Sequence, residues 1–338
     1  MVKVSKKVNS DSKIQKEVDR YEKKFELLRT EIGKLVIGQR NVVDGMIEAL
    51  LCNGHILLDG VPGVGKTLLV RTFAKVSGCE FSRIQFTPDL LPTDIVGVSS
   101  YSKDKGFFTL KGPIFANFVL ADEINRSPPK VQSSLLESMQ EKQVTIGKET
   151  FKLPRPFFVM ATKNPLEQLG TYKLPEAQLD RFFYNLKMGY PTIQEEVKIL
   201  NTNMTIHHFE NYDIKKIMTP KEIIKVQEFV KKIYLDEKIE KYIVRVIDAT
   251  RNPAKYKIEL GKYIGFGGSP RASIAIFIAS KAHALMNQRT YVISQDVKEV
   301  AHNCLRHRIL LNFEGEAEEI KTDEIITEIL RKVPIMES

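Results

Sequence analysis

Gly60-Val61-Pro62-Gly63-Val64-Gly65-Lys66-Thr67 fits the pattern G-x-x-x-x-G-K-[ST], in which each residue type answers a need of phosphate binding. Glycines let the backbone curl until successive N–H groups converge on an anion, and the helix that follows adds positive potential at its N-terminus. Lys66 would reach the β- and γ-phosphates of a nucleoside triphosphate such as ATP, and Thr67 would offer its hydroxyl to Mg2+. An apolar run, His55 to Asp59, precedes the loop, and a helical pattern, Thr67 to Val76, follows it. The competing reading, a chance glycine-rich turn, accounts for neither flank.

A second apolar run, Phe118-Val119-Leu120-Ala121, ends in the carboxylates Asp122 and Glu123. Alone, such a pair is usually a solvated loop start. Downstream of a phosphate loop, Asp122 would complete the Mg2+ shell and Glu123 would polarise the attacking water as general base. Asn164, just past the run Phe157 to Ala161, falls beyond the carboxyl end of a strand, where an amide can orient water and sense the γ-phosphate. An ordinary Asn-Pro turn is the alternative there. Arg181, immediately before the run Tyr184 to Met188, is placed to act as a cation from a neighbouring subunit, stabilising charge on the transferring phosphoryl group. Its plainer role is an ion pair with Asp180 or Glu176. Arg271, in Gly267-Gly268-Ser269-Pro270-Arg271-Ala272, opens a helix in a different part of the chain, from which it would touch the γ-phosphate of its own loop. A surface cation is the bland alternative, in an electrostatically poor position at a helix start.

The elements that must position these residues follow from periodicity. Strands are expected at His55 to Asp59, Phe81 to Phe86, Phe118 to Ala121, Phe157 to Ala161 and Tyr184 to Met188, alternating with helical patterns. That rhythm predicts an α/β core, a five-stranded parallel sheet between helices. Val96 to Lys111 and Val144 to Leu153 break around Lys103-Asp104-Lys105-Gly106 and Gly147-Lys148, and both read as β-hairpin inserts. Tyr101, Phe107 and Phe108 of the first are expected to pack against the core. Residues 1–13 read as a disordered tail, and Gln15 to Leu35 as an amphipathic helix carrying Val18, Tyr21, Phe25, Leu28, Ile32 and Leu35. The α/β domain is thus expected over 14–190. After Tyr190-Pro191-Thr192 the strand-like runs stop, and helical patterns from Ile193 to Lys332 predict a smaller all-helical lid over 191–338.

In that order, the phosphate loop, Asp122-Glu123, Asn164, Arg181 and Arg271 resemble the AAA+ ATPases. The intervening words Ala121 to Lys130, Leu135 to Glu141 and Gly170 to Phe182 resemble the MoxR family within them, over roughly Val36 to the C-terminus. Lys163 and Lys173 depart from the family's usual Gln and Pro. The resemblance implies that Val36-Ile37-Gly38-Gln39 lies beside the adenine, so Ile37 and Gly38, with the loop and the Leu68 that follows it, bind the nucleotide. It makes Asn164 sensor 1, Arg181 the arginine finger and Arg271 sensor 2, and it matches the hairpins to the helix-2 and pre-sensor-1 inserts. It further implies a ring-forming, hexameric, chaperone-like ATPase that works on client proteins, often with a von Willebrand factor A domain partner, to mature them or insert metal.

Composition bounds the alternatives. The formal charge is +9, but basic residues form no stripe and acids are interleaved throughout, so a nucleic-acid motor is the runner-up and nucleic acid is not the expected partner. No apolar run is long enough to span a bilayer, and the N-terminus lacks the apolar stretch of a signal peptide. With Cys52, Cys79 and Cys304 unpatterned, a cytosolic protein with reduced thiols is expected. His207-His208 and His302 to His307 lack the ligand set of a zinc site.

Overall fold

The computed structural model describes residues 2–104, 106–163, 172, 174–202, 209 and 212–335, the side chains of 2–12 and 202 excepted. Asn164, Gly170, Thr171, Lys173, His207 and His208 lie outside the described residues.

The chain opens with α1 (Val2–Gly33) and α2 (Arg40–Leu51). Helix α1 starts at Val2, where the sequence reading expects a disordered tail. Val18, Phe25, Leu28 and Ile32 bury fully and fix the helix, and extending a formed helix adds one hydrogen bond for each residue ordered. Then follow β1 (Ile56–Gly60), α3 (Lys66–Val76), β2 (Phe81–Gln85), α4 (Pro92–Val96), β3 (Gly97–Ser102), β4 (Gly106–Lys111), β5 (Phe118–Asp122), α5 (Pro129–Glu141), β6 (Gln143–Ile146), β7 (Glu149–Lys152), β8 (Phe158–Lys163), α6 (Glu176–Leu179) and β9 (Tyr184–Met188). Strands β2, β5, β8, β1 and β9 lie side by side in that order and pair in parallel.

Successive strand residues point to opposite faces, and the burial follows this period. Ile56, Leu58, Phe118, Leu120, Phe158 and Met160 pack with Phe25, Met46 and Phe73 of the first three helices. Leu57, Val119, Ala121, Val159 and Ala161 form a second core with Leu135 and Leu136 of α5. The hairpins β3–β4 and β6–β7 project where the turn residues place them. Tyr101 and Phe107, paired across the first hairpin, do not pack on the core. They are 64% and 81% exposed and meet each other edge-on, with ring centroids 5.2 Å apart. The strand period puts both side chains on one face of the hairpin.

Beyond β9 come α7 (Ile193–Thr202), α8 (Pro220–Val230), α9 (Glu237–Arg251), β10 (Ile264–Phe266), α10 (Pro270–Met286), α11 (Ser294–Leu305), β11 (Leu310–Leu311), α12 (Phe313–Ala317) and α13 (Thr322–Lys332). This helical lid also holds a two-stranded antiparallel ribbon, β10 with β11. Helix α8 starts with a reciprocal cap: the Thr219 hydroxyl accepts from Glu222 N, and the Glu222 carboxylate accepts from Thr219 N at 3.0 Å. The lid's Val246, Ile276, Ala279 and Leu305 belong to the same apolar cluster as α1, α2 and α3, so one core runs through both parts.

A polar junction crosses that core. Glu48 of α2 accepts a hydrogen bond from Tyr184 Oη at 3.0 Å, and its other oxygen lies 2.6 Å from His283 Nδ1 of α10. His283 Nε2 stands 3.9 Å from Asp296 of α11. Burial opposes the imidazolium, but Glu48 first, then Asp296 and Glu299, outweigh it and hold the His283 pKa above its ordinary value. A raised folded pKa stabilises the fold below the unfolded value and ceases to do so as pH rises through the folded one. Between about pH 6 and about pH 9 the melting temperature of the wild type should therefore fall more than that of His283→Gln. Parallel pH dependence of the two in thermal denaturation followed by circular dichroism would show that the junction carries no proton linkage.

Candidate active site

The phosphate loop leaves the carboxyl end of β1. At Gly60 a Cβ would lie 2.6 Å from Met188 O, so no larger residue fits. Gly63 and Gly65 have φ of +82° and +86° in open surroundings, so backbone conformation alone demands glycine there. Lys66, half-buried at the start of α3, donates its ammonium to Gly60 O. Burial pulls its pKa down, against the attraction of Asp122, Asp59 and Glu123. Thr67 occupies the first turn of α3, and Val64 and Leu68 pack partly buried beside the large core. Loop amides at a helix N-terminus suit phosphate, and a hydroxyl with a carboxylate offers the hard oxygens that Mg2+ prefers. The residues present fit a magnesium–nucleotide.

Strand register assembles the acids. Gln85 pairs with Asp122, and Ala121 with Ala161, so Thr162 lies on the other side of Asp122. The buried Thr162 hydroxyl donates to Asp122 Oδ1 at 2.7 Å and accepts from Glu123 N at 2.8 Å. Asp122 Oδ2 takes Arg83 Nε at 3.0 Å and its terminal nitrogen at 2.7 Å. Glu123 has left-handed dihedrals, φ 57° and ψ 48°. Its carboxylate accepts from Gln85 Nε2 at 2.9 Å and Arg126 at 3.1 Å. Lys163 pairs in register with Asp59 of β1; burial lowers its pKa while Asp59 opposes the shift.

Ile37 and Gly38 line a cavity of about 850 Å3 with Val36, Gln39, Tyr190 and Glu195. Gly60 pairs with Met188, so this cavity, reached just after β9, lies at the same end of the sheet as the phosphate loop. Gln39 closes one wall by donating to Gly189 O at 3.0 Å. Gly38 has φ +78°, and a Cβ on it would meet the Glu195 carboxylate at 2.6 Å.

Arg181 and Arg271 stand at the opposite end. Phe183 N donates to His55 O at 2.6 Å, ahead of β1, and both arginines border a cavity of about 260 Å3 that also includes Gly54, His55 and Asp180. The expectation that Arg271 reaches the loop of its own chain is corrected by this placement. The lid docks at the amino ends of the strands: Ser269 Oγ donates to Asp180 Oδ2 at 2.8 Å, Arg308 Nε to Oδ1 at 2.8 Å, and Arg271 lies 3.7 Å from the same carboxylate. Arg271 does open α10, where Ser269 caps its backbone N–H at 3.1 Å. Arg181 Nε is buried without a hydrogen-bond partner among the described residues. His302 and His307 hold structure, against Thr327 Oγ1 at 3.0 Å and Phe182 O at 2.9 Å.

Sequence reasoning missed Arg83, Gln85, Thr162 and Arg126. The first three reach the acids only through the order in which strands pair, and no local pattern states that order. Arg126 had a local signal, the three-residue spacing from Glu123 in a helical turn.

A profile for the ATPase family associated with various cellular activities (AAA) matches residues 55–184, and one for the AAA lid domain matches 261–329. Chaperone MoxR1 of Mycobacterium tuberculosis is 46% identical over 307 residues, covering 90% of this chain and 80% of that protein. Protein MoxR of Methylorubrum extorquens is 26% identical over 322 residues, 90% of this chain and 91% of that one. A crystal structure from Cytophaga hutchinsonii, of a protein assigned to the ATPases, superposes with a TM-score of 0.89 at 46% identity, over 98% of this chain and 99% of that one. With the loop, the acids in register and the lid all present, the chain belongs to the MoxR family of AAA+ ATPases.

Proposed function

We propose that this chain hydrolyses ATP, with Mg2+, at sites shared between neighbouring copies in a hexameric cytoplasmic ring, and that turnover remodels or matures client proteins. The observation that supports it most is the division of the site: loop, acids and base cavity at one end of the sheet, Arg181 and Arg271 at the other. Asn164 is the proposed γ-phosphate sensor. A client-remodelling role is supported by the name chaperone carried by the Mycobacterium tuberculosis relative and by the solvent-facing Tyr101 and Phe107, an apolar grip for an unfolded segment. A von Willebrand factor A domain partner and metal insertion into clients are the further reading that the family suggests. The nucleic-acid motor gains nothing from the surface, since Lys24, Lys187, Lys231, Lys255 and Lys332 each pair with carboxylates.

In this reading ATP lays its base in the cavity at Ile37 and Gly38 and its phosphates against the amides of Gly60 to Thr67, with Lys66 swinging from Gly60 O to the β- and γ-phosphates. Thr67 and Asp122 would hold Mg2+, which supplies charge neutralisation on the phosphate oxygens. Glu123, once released by Gln85 and Arg126, takes a proton from water as its oxygen bonds to the γ-phosphorus. The bond to the β–γ bridging oxygen breaks, giving ADP and phosphate. Arg181 and Arg271 of the adjacent copy steady the charge on the transferring group.

Glu123→Gln should lose about 100-fold or more in turnover while keeping ATP affinity, measured by phosphate release and fluorescent-nucleotide titration; unchanged hydrolysis would dismiss Glu123 as base. Thr162→Val should lower kcat roughly tenfold, because Asp122 and the Glu123 amide lose a buried partner, and an unaltered kcat would refute that role. Turnover per subunit should collapse on dilution below the assembly concentration, seen by steady-state assay beside analytical ultracentrifugation. Concentration-independent turnover would contradict a shared site.

A further inference from the structure

Arg308, just past α11, is a buried cation whose side chain is 3% exposed. Its donors go mostly to one strap, residues 180–183. Nε donates to Asp180 Oδ1 at 2.8 Å, one terminal nitrogen to Phe183 O at 3.1 Å, and the other to Phe182 O at 2.6 Å and Asp180 O at 3.3 Å. The remaining bond, to Cys304 O, ties the guanidinium to the last turn of α11. His307 adds a second lid contact to Phe182 O. The strap held on both sides in this way is the one that carries Arg181.

Packing alone does not call for such a residue. Burying a guanidinium costs several kcal/mol of hydration, and apolar side chains of similar volume commonly hold a core as well or better. What the planar fork provides is geometry: donors at fixed angles lock several acceptors at once. Here those acceptors flank Arg181 in sequence, whose own Nε makes no hydrogen bond among the described residues. We propose that Arg308 is a positioning residue for Arg181, through which the lid of one subunit sets the aim of the arginine serving its neighbour's γ-phosphate. The proposal rests on the reading that Arg181 acts in trans.

The test uses full-length protein. Arg308→Lys keeps the charge and loses the fork, so kcat should fall about tenfold or more while the KM for ATP and ring assembly stay near wild type. The variant's own loop and acids are intact, so mixing with Lys66→Ala subunits should restore turnover: those subunits cannot hydrolyse ATP but present an intact Arg181 and Arg308 across the interface. An unchanged kcat, or a loss that mixing does not restore, overturns the proposal. Should Arg308→Lys fail to assemble, Asp180→Asn weakens the same anchor at constant size and should show the same split and the same rescue; full activity, or loss without rescue, overturns the proposal there too. Arg181→Ala in the same mixtures separates the two readings. If it is fully active alone, the trans finger is wrong; if it is inactive and rescued while Arg308→Lys is neither, only the positioning role fails.

Discussion

All five strands of the sheet run the same way, and that constraint divides the chemistry of the molecule. Carboxyl ends collect at one edge and bring together the phosphate loop after β1, the acids after β5 and the cavity of Ile37 and Gly38 after β9. Amino ends collect at the other and carry Arg181, with Arg271 and Arg308 docked beside it. Strand β1 has five residues, so at roughly 3.3 Å per residue the two edges stand about 16 Å apart. In the proposed function these are the two parts of one hydrolytic site, and they face in opposite directions. Under that proposal a head-to-tail contact between identical copies would join them, and a head-to-tail contact that repeats by a closing rotation makes a ring.

The lid owes its place to two kinds of force. Apolar side chains of α8 to α11 continue the core of α1 to α3 without a break, which fixes the lid's general position. Polar contacts then fix its angle. Besides the bonds of Arg308, Arg306 donates to Asn185 O, and the Asn185 amide donates to Asp59 Oδ2 at 2.8 Å, next to Gly60. The turn after α11 therefore touches both Asn185, which holds the acid next to Gly60, and the strap that carries Arg181. A small rotation of that turn would be felt at both ends of the sheet, since a packed interior transmits strain and does not absorb it.

Much of this was legible in the sequence where chemistry and local geometry coincide. The phosphate loop, Asp122-Glu123 and all five strands follow from residue type and period, because glycine conformation, apolar runs and terminal carboxylates are local facts. What depends on long-range pairing was not legible: Gln85 and Thr162 become functional because β2 and β8 flank β5. A sequence gives no direction for a lid, so nothing in it places Ser269 against Asp180, the hydrogen bond beside which Arg271 stands. The exposure of Tyr101 and Phe107 failed for a different reason. Large aromatics usually bury, and only the hairpin's projection leaves them in solvent. Helix α2 escaped notice because its polar face is narrow and most of its length is buried, which blurs the helical period.

Glu123 shows why so elaborate a division is useful. Its left-handed backbone costs about 1–2 kcal/mol for a residue with a side chain, and the conformation persists because the Thr162 hydroxyl accepts its N–H while Gln85 and Arg126 donate to its carboxylate. Both donors hold one oxygen, Oε2, of the carboxylate that in the proposed function turns toward water. In the proposed function a lone chain restrains Glu123 as its base and presents Arg181 away from its own phosphate loop, two independent barriers to idle turnover. In that reading both yield to contacts from a neighbour and a bound nucleotide, which would make hydrolysis conditional on assembly. The strain at Glu123 is small enough for a few charge-assisted hydrogen bonds to overturn, which is the scale a reversible switch requires.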